Sequence, residues 1–567
     1  MDRAVADTPI IGIDVSGVEG KMLDNVKAAL TPPPGVIRDG AVNMPWLERF
    51  VYRIPQNVKK ALKPFGYYHA KIKTGMEKTD NGYTVRVKIE PGNPTLLTDV
   101  KISVQGPGAQ EDRLKDFAGS FPLKKGDILN HSLYESGKAR LRQTALDMGF
   151  QDADYTVSEI RVSLERFSAR IELVLDTGPR YFFGNIDIKG GDIYPDAFLR
   201  RYLALERGGD FSYEKIYKTK LNFINSDRFR ETVIIPHKDR ADALQIPVTI
   251  RLTPSPPKRL RFGIGYGTDT GPRTSVHYRD LNVFGKGHEI YSDLILSESI
   301  QSWAVDYRLP GRNIDSFTGF QANLRKENVS SYKSEIASLE ANRTRDLGNG
   351  MIGTAYVRLQ KEDSTVGEQT ANVKLVLPGL RFSIQHYDNL IRPRRGYRYV
   401  FELRGTESFL GSDVGLVQVM ASGKLLFPLP WQLTATLRTQ GALSYERDPL
   451  SSLPASLRFF TGGDNSVRGY AYQSLGPTDS NGTVVGGRHL LVGGAEIERA
   501  LPKNWAVAAF YDTGNAFNNL SDINLFQSIG MGVRYYTPVG AIRLDVARQI
   551  DVDDPSFRIH FSLGFQL

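Results

Sequence analysis

Cysteine is absent from this chain of 567 residues. Its absence excludes disulfide frameworks, thiolate zinc sites, iron–sulfur clusters and cysteine nucleophiles. Long apolar runs are absent as well. The most apolar stretch, 414–431, is interrupted by Gln418, Lys424, Pro428 and Pro430. We therefore expect no transmembrane helix, because such a helix needs about 18 or more consecutive apolar residues.

The chain also lacks a concentrated charge and an apolar leader. Its net charge of +9 is spread over the whole length, too diffuse to predict nucleic-acid binding. Asp2 and Arg3 stand in a start without an apolar segment, so either there is no signal peptide or one was removed. A hydrophobic fraction of 41% excludes a disordered chain, and 54 glycines with 10% aromatic residues favour strands and turns.

Catalytic motifs are equally scarce. Neither Gly-x-Ser-x-Gly nor His-Glu-x-x-His occurs, and the run 422–424 lacks the rest of a phosphate-binding loop. The glycines of 263–267 have no βαβ context, which a dinucleotide site requires. The eight histidines are scattered, and spacing alone leaves a dispersed triad open. We expect no enzyme, no catalytic residue, no metal site and no cofactor.

Three repeated units of about 85 residues precede residue 257. Each opens with a strand that runs into glycine and continues with an apolar stripe at helical spacing, then alternating strands. Pro55 lies inside the first stripe and predicts two short helices there. The predicted domains are small α+β modules, for which a row of spacer domains is the simplest alternative. Their predicted bounds are 10–93, 94–178 and 179–256.

After Pro257 the apolar residues alternate with polar ones, most clearly in 556–567. Alternation fits a half-buried soluble sheet or a membrane barrel equally well. Aromatic residues beside a short turn at 427–431, and short turns alternating with long polar loops, favour the barrel. At about 19 residues per strand, this part predicts about 16 strands. The predicted fold is thus three α+β repeats followed by a transmembrane antiparallel β-barrel over 257–567.

A stretch of little strand pattern lies between Glu446 and Arg488, and loops of such length are functional or disordered. It contains Phe-Phe-Thr-Gly-Gly-Asp at 459–464 and Val-Arg-Gly-Tyr at 467–470. These motifs resemble the loop signature of the POTRA-and-barrel superfamily of outer-membrane assembly and secretion proteins. Within it, three repeats and the first barrel strand make the chain most similar to the TamA family, the barrel subunits of the translocation and assembly module.

The resemblance implies that this loop folds back into the barrel and that Arg468 pairs with acidic residues on inner strands. A guanidinium in a lumen needs acceptors, and carboxylates offer bidentate geometry. Glu498 shares a strand face with Glu496 and is an alternative partner. The simpler interpretation is an exposed arginine whose ion pairs contribute about 0–1 kcal/mol. The predicted loop anchor is Arg468, Glu496, Asp512, Val467, Gly469 and Tyr470.

The first and last barrel strands must pair, and glycine weakens both of them. A weak seam suits strand exchange with another chain, whereas the alternative is that the glycines only permit curvature. Many barrels end in phenylalanine or tryptophan, whereas this chain ends Gly-Phe-Gln-Leu. We expect Phe565 to take the place of that terminal aromatic residue. The predicted seam residues are Gly263, Gly265, Gly267, Phe561, Leu563, Gly564 and Phe565.

The resemblance implies a factor in the cell outer membrane that assembles and inserts β-barrel clients, autotransporters among them, with its repeats in the periplasm. Its expected partners are a TamB-like periplasm-spanning protein, unfolded outer-membrane clients and outer-membrane lipids, and no nucleic acid. The main alternative is a translocation pore of two-partner secretion, whose family usually carries two repeats and a plug helix. A passive porin is a third possibility, and neither needs three repeats.

Overall fold

The structure is a computed structural model that describes residues 10–38, 41–80, 82–389, 392–537, 540–550 and 552–563. The helices within these ranges are α1 (Gly20–Ala29), α2 (Met44–Leu62), α3 (Asp112–Gly119), α4 (His131–Asp147), α5 (Asp196–Arg200) and α6 (Tyr213–Asn225). The strands before residue 257 are β1 (Ile10–Ser16), β2 (Ile37–Arg38), β3 (Ala41–Val42), β4 (Lys71–Thr79), β5 (Gly82–Glu90), β6 (Leu96–Gln105), β7 (Asp154–Ser163), β8 (Ser168–Asp176), β9 (Phe182–Lys189), β10 (Phe229–Pro236) and β11 (Gln245–Pro254).

The later strands run in chain order around one wall. They are β12 (Lys258–Gly267), β13 (Gly271–Val283), β14 (His288–Ser297), β15 (Ile300–Pro310), β16 (Phe317–Asn328), β17 (Tyr332–Gly348), β18 (Met351–Val366), β19 (Gln369–Tyr387), β20 (Gly396–Thr406), β21 (Leu416–Leu429), β22 (Leu433–Glu446), β23 (His489–Ala500), β24 (Trp505–Phe517), β25 (Phe526–Thr537), β26 (Gly540–Gln549) and β27 (Phe557–Leu563).

The first part of the chain forms three small three-stranded sheets. Their strand orders are β1-β5-β4, β6-β8-β7 and β10-β11-β9, and in each sheet the opening strand pairs in parallel with the closing strand. Helices cover the sheets with apolar stripes. In the first repeat, Phe50, Ile54 and Val58 pack against Val85 and Val87. The α+β class predicted for this region is confirmed.

The prediction of two short helices around Pro55 is wrong, because α2 is continuous from Met44 to Leu62. An interior proline costs about 3 kcal/mol. On either side of it, Ile54 and Val58 are fully buried, and each such side chain contributes about 1.5–3 kcal/mol. Burial of the stripe along the whole sheet therefore outweighs the lost hydrogen bond. Asn43 caps the start by accepting from the Trp46 amide.

The chain divides into two compact units, and the third repeat is shared between them. The first unit holds the chain up to residue 189 with 203–221 and 233–251, and the second holds 190–202, 222–232 and the chain from residue 252 onward. Within the second unit, Arg228 is 2% exposed. It donates to the carbonyls of Leu281 and Gly287 and pairs with Glu289. This guanidinium joins the 222–232 segment to the barrel wall.

Strands β12–β27 form a closed antiparallel barrel of sixteen strands in chain order, which confirms the predicted barrel and its strand number. Its outward side chains are apolar: Leu324, Leu339 and Leu359 are each more than half exposed. Its inward side chains are polar, and Glu340 and Gln360 are buried. This inside-out pattern is that of a barrel surrounded by lipid. No helix in the described ranges is long and apolar enough to cross a membrane.

Candidate functional site: the lumen loop and the barrel seam

The connection from β22 to β23, residues 447–488, folds into the barrel lumen. This connection starts and ends at one end of the barrel, which we call the loop rim. We call the opposite end of the barrel the turn rim. Leu453 and Leu457 pack against apolar residues of β19 and β21. Arg458, 5% exposed, donates to the carbonyls of Leu453 and Val485 and to the Gln369 side chain. The loop therefore has a buried core of its own.

The loop places Arg468 against the inner faces of β23, β24 and β26. Its Nε and Nη2 donate to the two carboxylate oxygens of Asp512, at 2.6 and 3.1 Å. Its Nη1 donates to Glu496 at 2.7 Å and to Asp545 at 3.3 Å, and its guanidinium carbon lies 3.3 Å from the centroid of the Phe510 ring. The structure thus brings together Arg468, Glu496 and Asp512, as the sequence predicted.

The anchor is larger than the sequence indicated. Arg438 shares Asp512 at 2.7 Å, and Arg534 pairs with Asp545 and lies 3.5 Å from Glu496. Three guanidinium groups thus face three carboxylates, so this buried charge is balanced. We use "loop anchor" for the set Arg438, Arg468, Glu496, Asp512, Arg534 and Asp545.

Sequence reasoning missed Arg438, Arg534 and Asp545, although a signal for them existed. Each occupies an inward position of an alternating barrel strand, where a charged side chain needs a partner.

Glu498, the alternative partner, belongs to a different contact. It accepts from Arg392 at 3.3 Å and from the Tyr536 hydroxyl at 2.6 Å. Arg392 also lies over the Tyr536 ring, 4.0 Å from its centroid. Glu498 therefore holds the β19–β20 connection at the turn rim and does not bind Arg468.

The neighbours of Arg468 in the motif have separate roles. Val467 is fully buried and Tyr470 packs edge-on against Phe526. Gly469 has a φ of +95°, which favours glycine, and a Cβ there would lie 3.3 Å from the Ser528 side chain. Its carbonyl accepts from Gln549 at 2.9 Å. Small size at this position lets the loop backbone lie directly on the barrel wall.

A second contact joins the loop to both edges of the barrel wall. Asp464 of the loop accepts from His560 Nδ1 on β27, and its amide donates to Asp269 Oδ2 at 2.7 Å. Asp269 lies in the turn between β12 and β13. A Cβ on Gly463 would come within 2.5 Å of the Asp269 carboxylate, so glycine permits this approach. We call Asp269, Asp464 and His560 the clasp.

The hydrogen bonds of the clasp define its chemistry. The Gly469 amide donates to His560 Nε2 at 2.9 Å, so Nε2 is the accepting nitrogen and Nδ1 carries the proton given to Asp464. Potential metal-ligating atoms of the three residues lie within 4.8 Å of one another. Both ring nitrogens of His560 are already engaged, however, and the arrangement fits a shared proton better than a cation. Burial, together with the nearby Asp464 carboxylate, raises the pKa of Asp269 to about 6.

The seam between β12 and β27 is short among the described residues. Two register pairs join the strands, Tyr266 with Leu563 and Gly267 with Ser562. Beyond them, the Thr268 amide donates to the Phe561 carbonyl at 3.0 Å, and the Phe561 amide donates to the Thr268 hydroxyl at 2.7 Å. The predicted seam residues Gly564 and Phe565 lie outside the described residues.

The seam glycines face the lumen, since Phe262 and Ile264, the neighbours of Gly263 along the strand, are 75% and 85% exposed on the outer surface. They do more than leave a face without side chains. A Cβ on Gly265 would lie 2.7 Å from the Leu563 carbonyl oxygen, and one on Gly263 would lie 2.5 Å from the Ser275 hydroxyl. Glycine at 265 therefore lets the last strand approach the first.

Small α+β repeats, a sixteen-stranded barrel and a loop anchored in its lumen define the class of protein. The chain belongs to the Omp85 superfamily: the model of the Omp85 superfamily domain matches residues 282–567. A model described as POTRA domain TamA domain 1 matches residues 12–91.

Among curated relatives, the chain is 23% identical to the outer membrane protein assembly factor BamA of Neorickettsia risticii over 65% of this chain and 53% of that protein. It is 21% identical to BamA of Nitratidesulfovibrio vulgaris over 73% of this chain and 55% of that protein. The chain thus spans about half the length of these relatives.

Among solved structures, BamA of Haemophilus ducreyi lacking POTRA domains 1–3 has a TM-score of 0.67 at 15% identity, covering 83% of this chain and 99% of that one. CdiB of Escherichia coli has a TM-score of 0.50 at 12% identity, covering 92% and 98%. These similarities establish the fold.

Proposed function

We propose that this protein is a TamA-type assembly factor of the outer membrane, which inserts β-barrel clients, autotransporters among them, by strand exchange at the seam. The pairing of the first barrel strand with the last carries the proposal. In a bilayer an unpaired strand edge is costly, so the junction of the two terminal strands, which glycines weaken, is the place where a client strand can add by β-augmentation. The names of the assembly-factor relatives and the TamA-type first repeat support the same function. The proposed mechanism needs no catalytic residue and no cofactor.

The seam can be tested with a disulfide, because the chain has no native cysteine. Tyr266 and Leu563 are register partners, so Tyr266→Cys with Leu563→Cys places two thiols across the seam. We expect oxidation to abolish the folding of a client barrel in proteoliposomes and reduction to restore it. Heat-modifiable gel mobility of the client provides the measurement.

The matched control crosslinks the opposite wall. Leu339 and Leu359 are register partners on β17 and β18, both on the outer surface. Leu339→Cys with Leu359→Cys should leave client folding unchanged after oxidation. Full activity with the seam crosslinked would contradict insertion at the seam.

The proposed location is the outer membrane, with the repeats in the periplasm, and the proposed partner is a TamB-like periplasm-spanning protein bound by the repeats. The match of residues 12–91 to a TamA-type domain supports a partner of this kind, and the first repeat is the one to test first. Deletion of 10–92 should abolish capture of that partner in a pull-down while the barrel keeps its heat-modifiable mobility. Retained capture would place the partner on another repeat.

A further inference from the structure

The lumen contains a cavity of about 890 Å³. It lies between loop residues 464–468 and the turn rim. Eight arginine and lysine residues but only three carboxylates line it. The loop anchor accounts for part of this excess, because Asp512 and Asp545 lie behind the cavity surface and bind three of the arginines. Positive charge nevertheless exceeds negative charge around this space.

The excess is concentrated where three cations meet in register. Arg398 on β20 lies opposite Lys424 on β21, and Lys424 lies opposite Arg438 on β22. Directly opposed residues of antiparallel strands have Cβ atoms about 4.5–5.5 Å apart, and like charges there are destabilising. A row of three cations therefore costs free energy unless negative charge compensates it.

Among the described residues, direct ion pairing reaches only one end of this row. Arg438 binds Asp512 and donates to the Ser466 carbonyl at 2.6 Å. Among the residues that the structure describes, the side chains of Arg398 and Lys424 form no hydrogen bond and no ion pair. The nearby Glu496 is engaged by Arg468 and Arg534. Two adjacent cations thus face the cavity without a carboxylate.

We propose that Arg398 and Lys424 form a binding site for a phosphate group in the barrel lumen. A guanidinium binds phosphate oxygens in a bidentate manner, and an ammonium adds a compact charge beside it. The cavity is far larger than a simple inorganic anion needs and is in the range of small-molecule sites. The ligand is free phosphate or the phosphate of an anionic lipid headgroup, which share this chemistry.

The test uses the full-length protein in detergent with two probes. Orthophosphate represents the free anion, and dihexanoylphosphatidylglycerol represents the anionic headgroup. We expect either probe or both to raise the thermal unfolding temperature of the wild type, because a ligand that binds only the folded state stabilises it. The double variant Arg398→Gln, Lys424→Gln should bind at least about tenfold more weakly, as expected for two lost charged hydrogen bonds.

The variant should fold, since it removes like-charge repulsion, and without probe its unfolding temperature should equal or exceed that of the wild type. Lys424→Gln alone gives a second test with a smaller loss of affinity. The control removes the same number of charges by Lys326→Gln, Lys333→Gln, at outward positions of β16 and β17, where Lys326 pairs with Glu335.

Stabilisation by both probes would show that the site binds phosphate groups in general. Stabilisation by the lipid alone would show that it binds lipid headgroups. No stabilisation of the wild type by either probe would overturn the proposal. Equal stabilisation of the wild type and the double variant would overturn it too.

Discussion

The junction of β17 with β18 and the seam of β12 with β27 close the same barrel by different bonds. The first is a ladder that runs without a register shift from Tyr332–Val366 to Asp346–Ile352 and ends, after one shift, at Gly348–Met351. The second has two register pairs among the described residues and is supplemented by side chains from Thr268 and the clasp. The loop contacts both junctions, through Ser456 to Glu362 on β18 and through Asp464 to His560 on β27.

The two junctions differ in the contacts that the described residues supply. Each ladder hydrogen bond contributes about 0.5–1.5 kcal/mol net, so a long ladder separates only at a large summed cost. At the seam, the described residues add contacts near the loop rim, from Thr268 and from the clasp. Because Asp464 contacts both β27 and the β12–β13 turn, displacement of the loop and loosening of the seam are coupled.

The largest expected effect comes from Arg468→Ala, which leaves Asp512 with Arg438 and Glu496 with the more distant Arg534 as their remaining cations. Breaking one side of a buried pair costs about 3–5 kcal/mol. We expect the barrel to remain folded, shown by heat-modifiable mobility, while the loop becomes sensitive to protease. Arg392→Ala is the matched control, because Arg392 also binds a lumen carboxylate but lies outside the loop. A protected loop in Arg468→Ala would show that the ion pairs do not hold it.

Gly265→Ala should loosen the seam specifically. The added methyl group would lie 2.7 Å from the Leu563 carbonyl oxygen, and such overpacking costs about 1–3 kcal/mol. Gly441→Ala on β22 is the control, since its methyl group would lie 3.9 Å from the Leu490 carbonyl oxygen. Hydrogen exchange of the Thr268 amide should accelerate in the first variant only. Equal exchange in both variants would mean that the last strand does not rely on this close approach.

Thr268→Val should have a smaller effect on the same junction. The Phe561 amide loses its bond to the threonine hydroxyl, worth about 0.5–1.5 kcal/mol. Thr344→Val removes a comparable hydroxyl contact with Thr354, but the long β17–β18 ladder surrounds it. Hydrogen exchange near residue 561 should rise in Thr268→Val, with no matching rise around 344. A rise in both would remove the distinction between the two junctions.

The last expected effect concerns the pH dependence of the clasp. The pKa of Asp269 is raised to about 6, above the ordinary value near 4. Folding therefore favours the protonated Asp269 carboxyl. The stability that this protonation adds to the folded state is complete below about pH 4 and is lost as the pH rises through about 6. Asp464, His560 and Arg558 are the charged or titratable groups that act on it. Asp269→Asn should remove this dependence between about pH 4 and 7, measured by thermal unfolding, whereas an unchanged pH profile would contradict the assignment.

The anchor shows how far sequence reasoning reaches. Arg468, Glu496 and Asp512 could be predicted because a local motif and alternating strands each mark them. Asp269 and His560 could not, since they lie 195 and 96 residues from Asp464 and no local pattern relates them. The prediction made from Pro55 was wrong for the opposite reason. Local propensity predicted a break in the helix, and tertiary packing overrode it.

By itself, the sequence determined the repeats, the barrel and its strand number, because apolar periodicity records which side of each strand meets the apolar surroundings. It also marked the loop that enters the lumen. Only the tertiary structure decided which charges are paired. In the sequence alone, Arg398, Lys424 and Arg438 cannot be told apart from the other polar residues at inward positions of the barrel strands. Strand register placed them side by side, and loop 447–488 brought compensating contacts to one end of the row only.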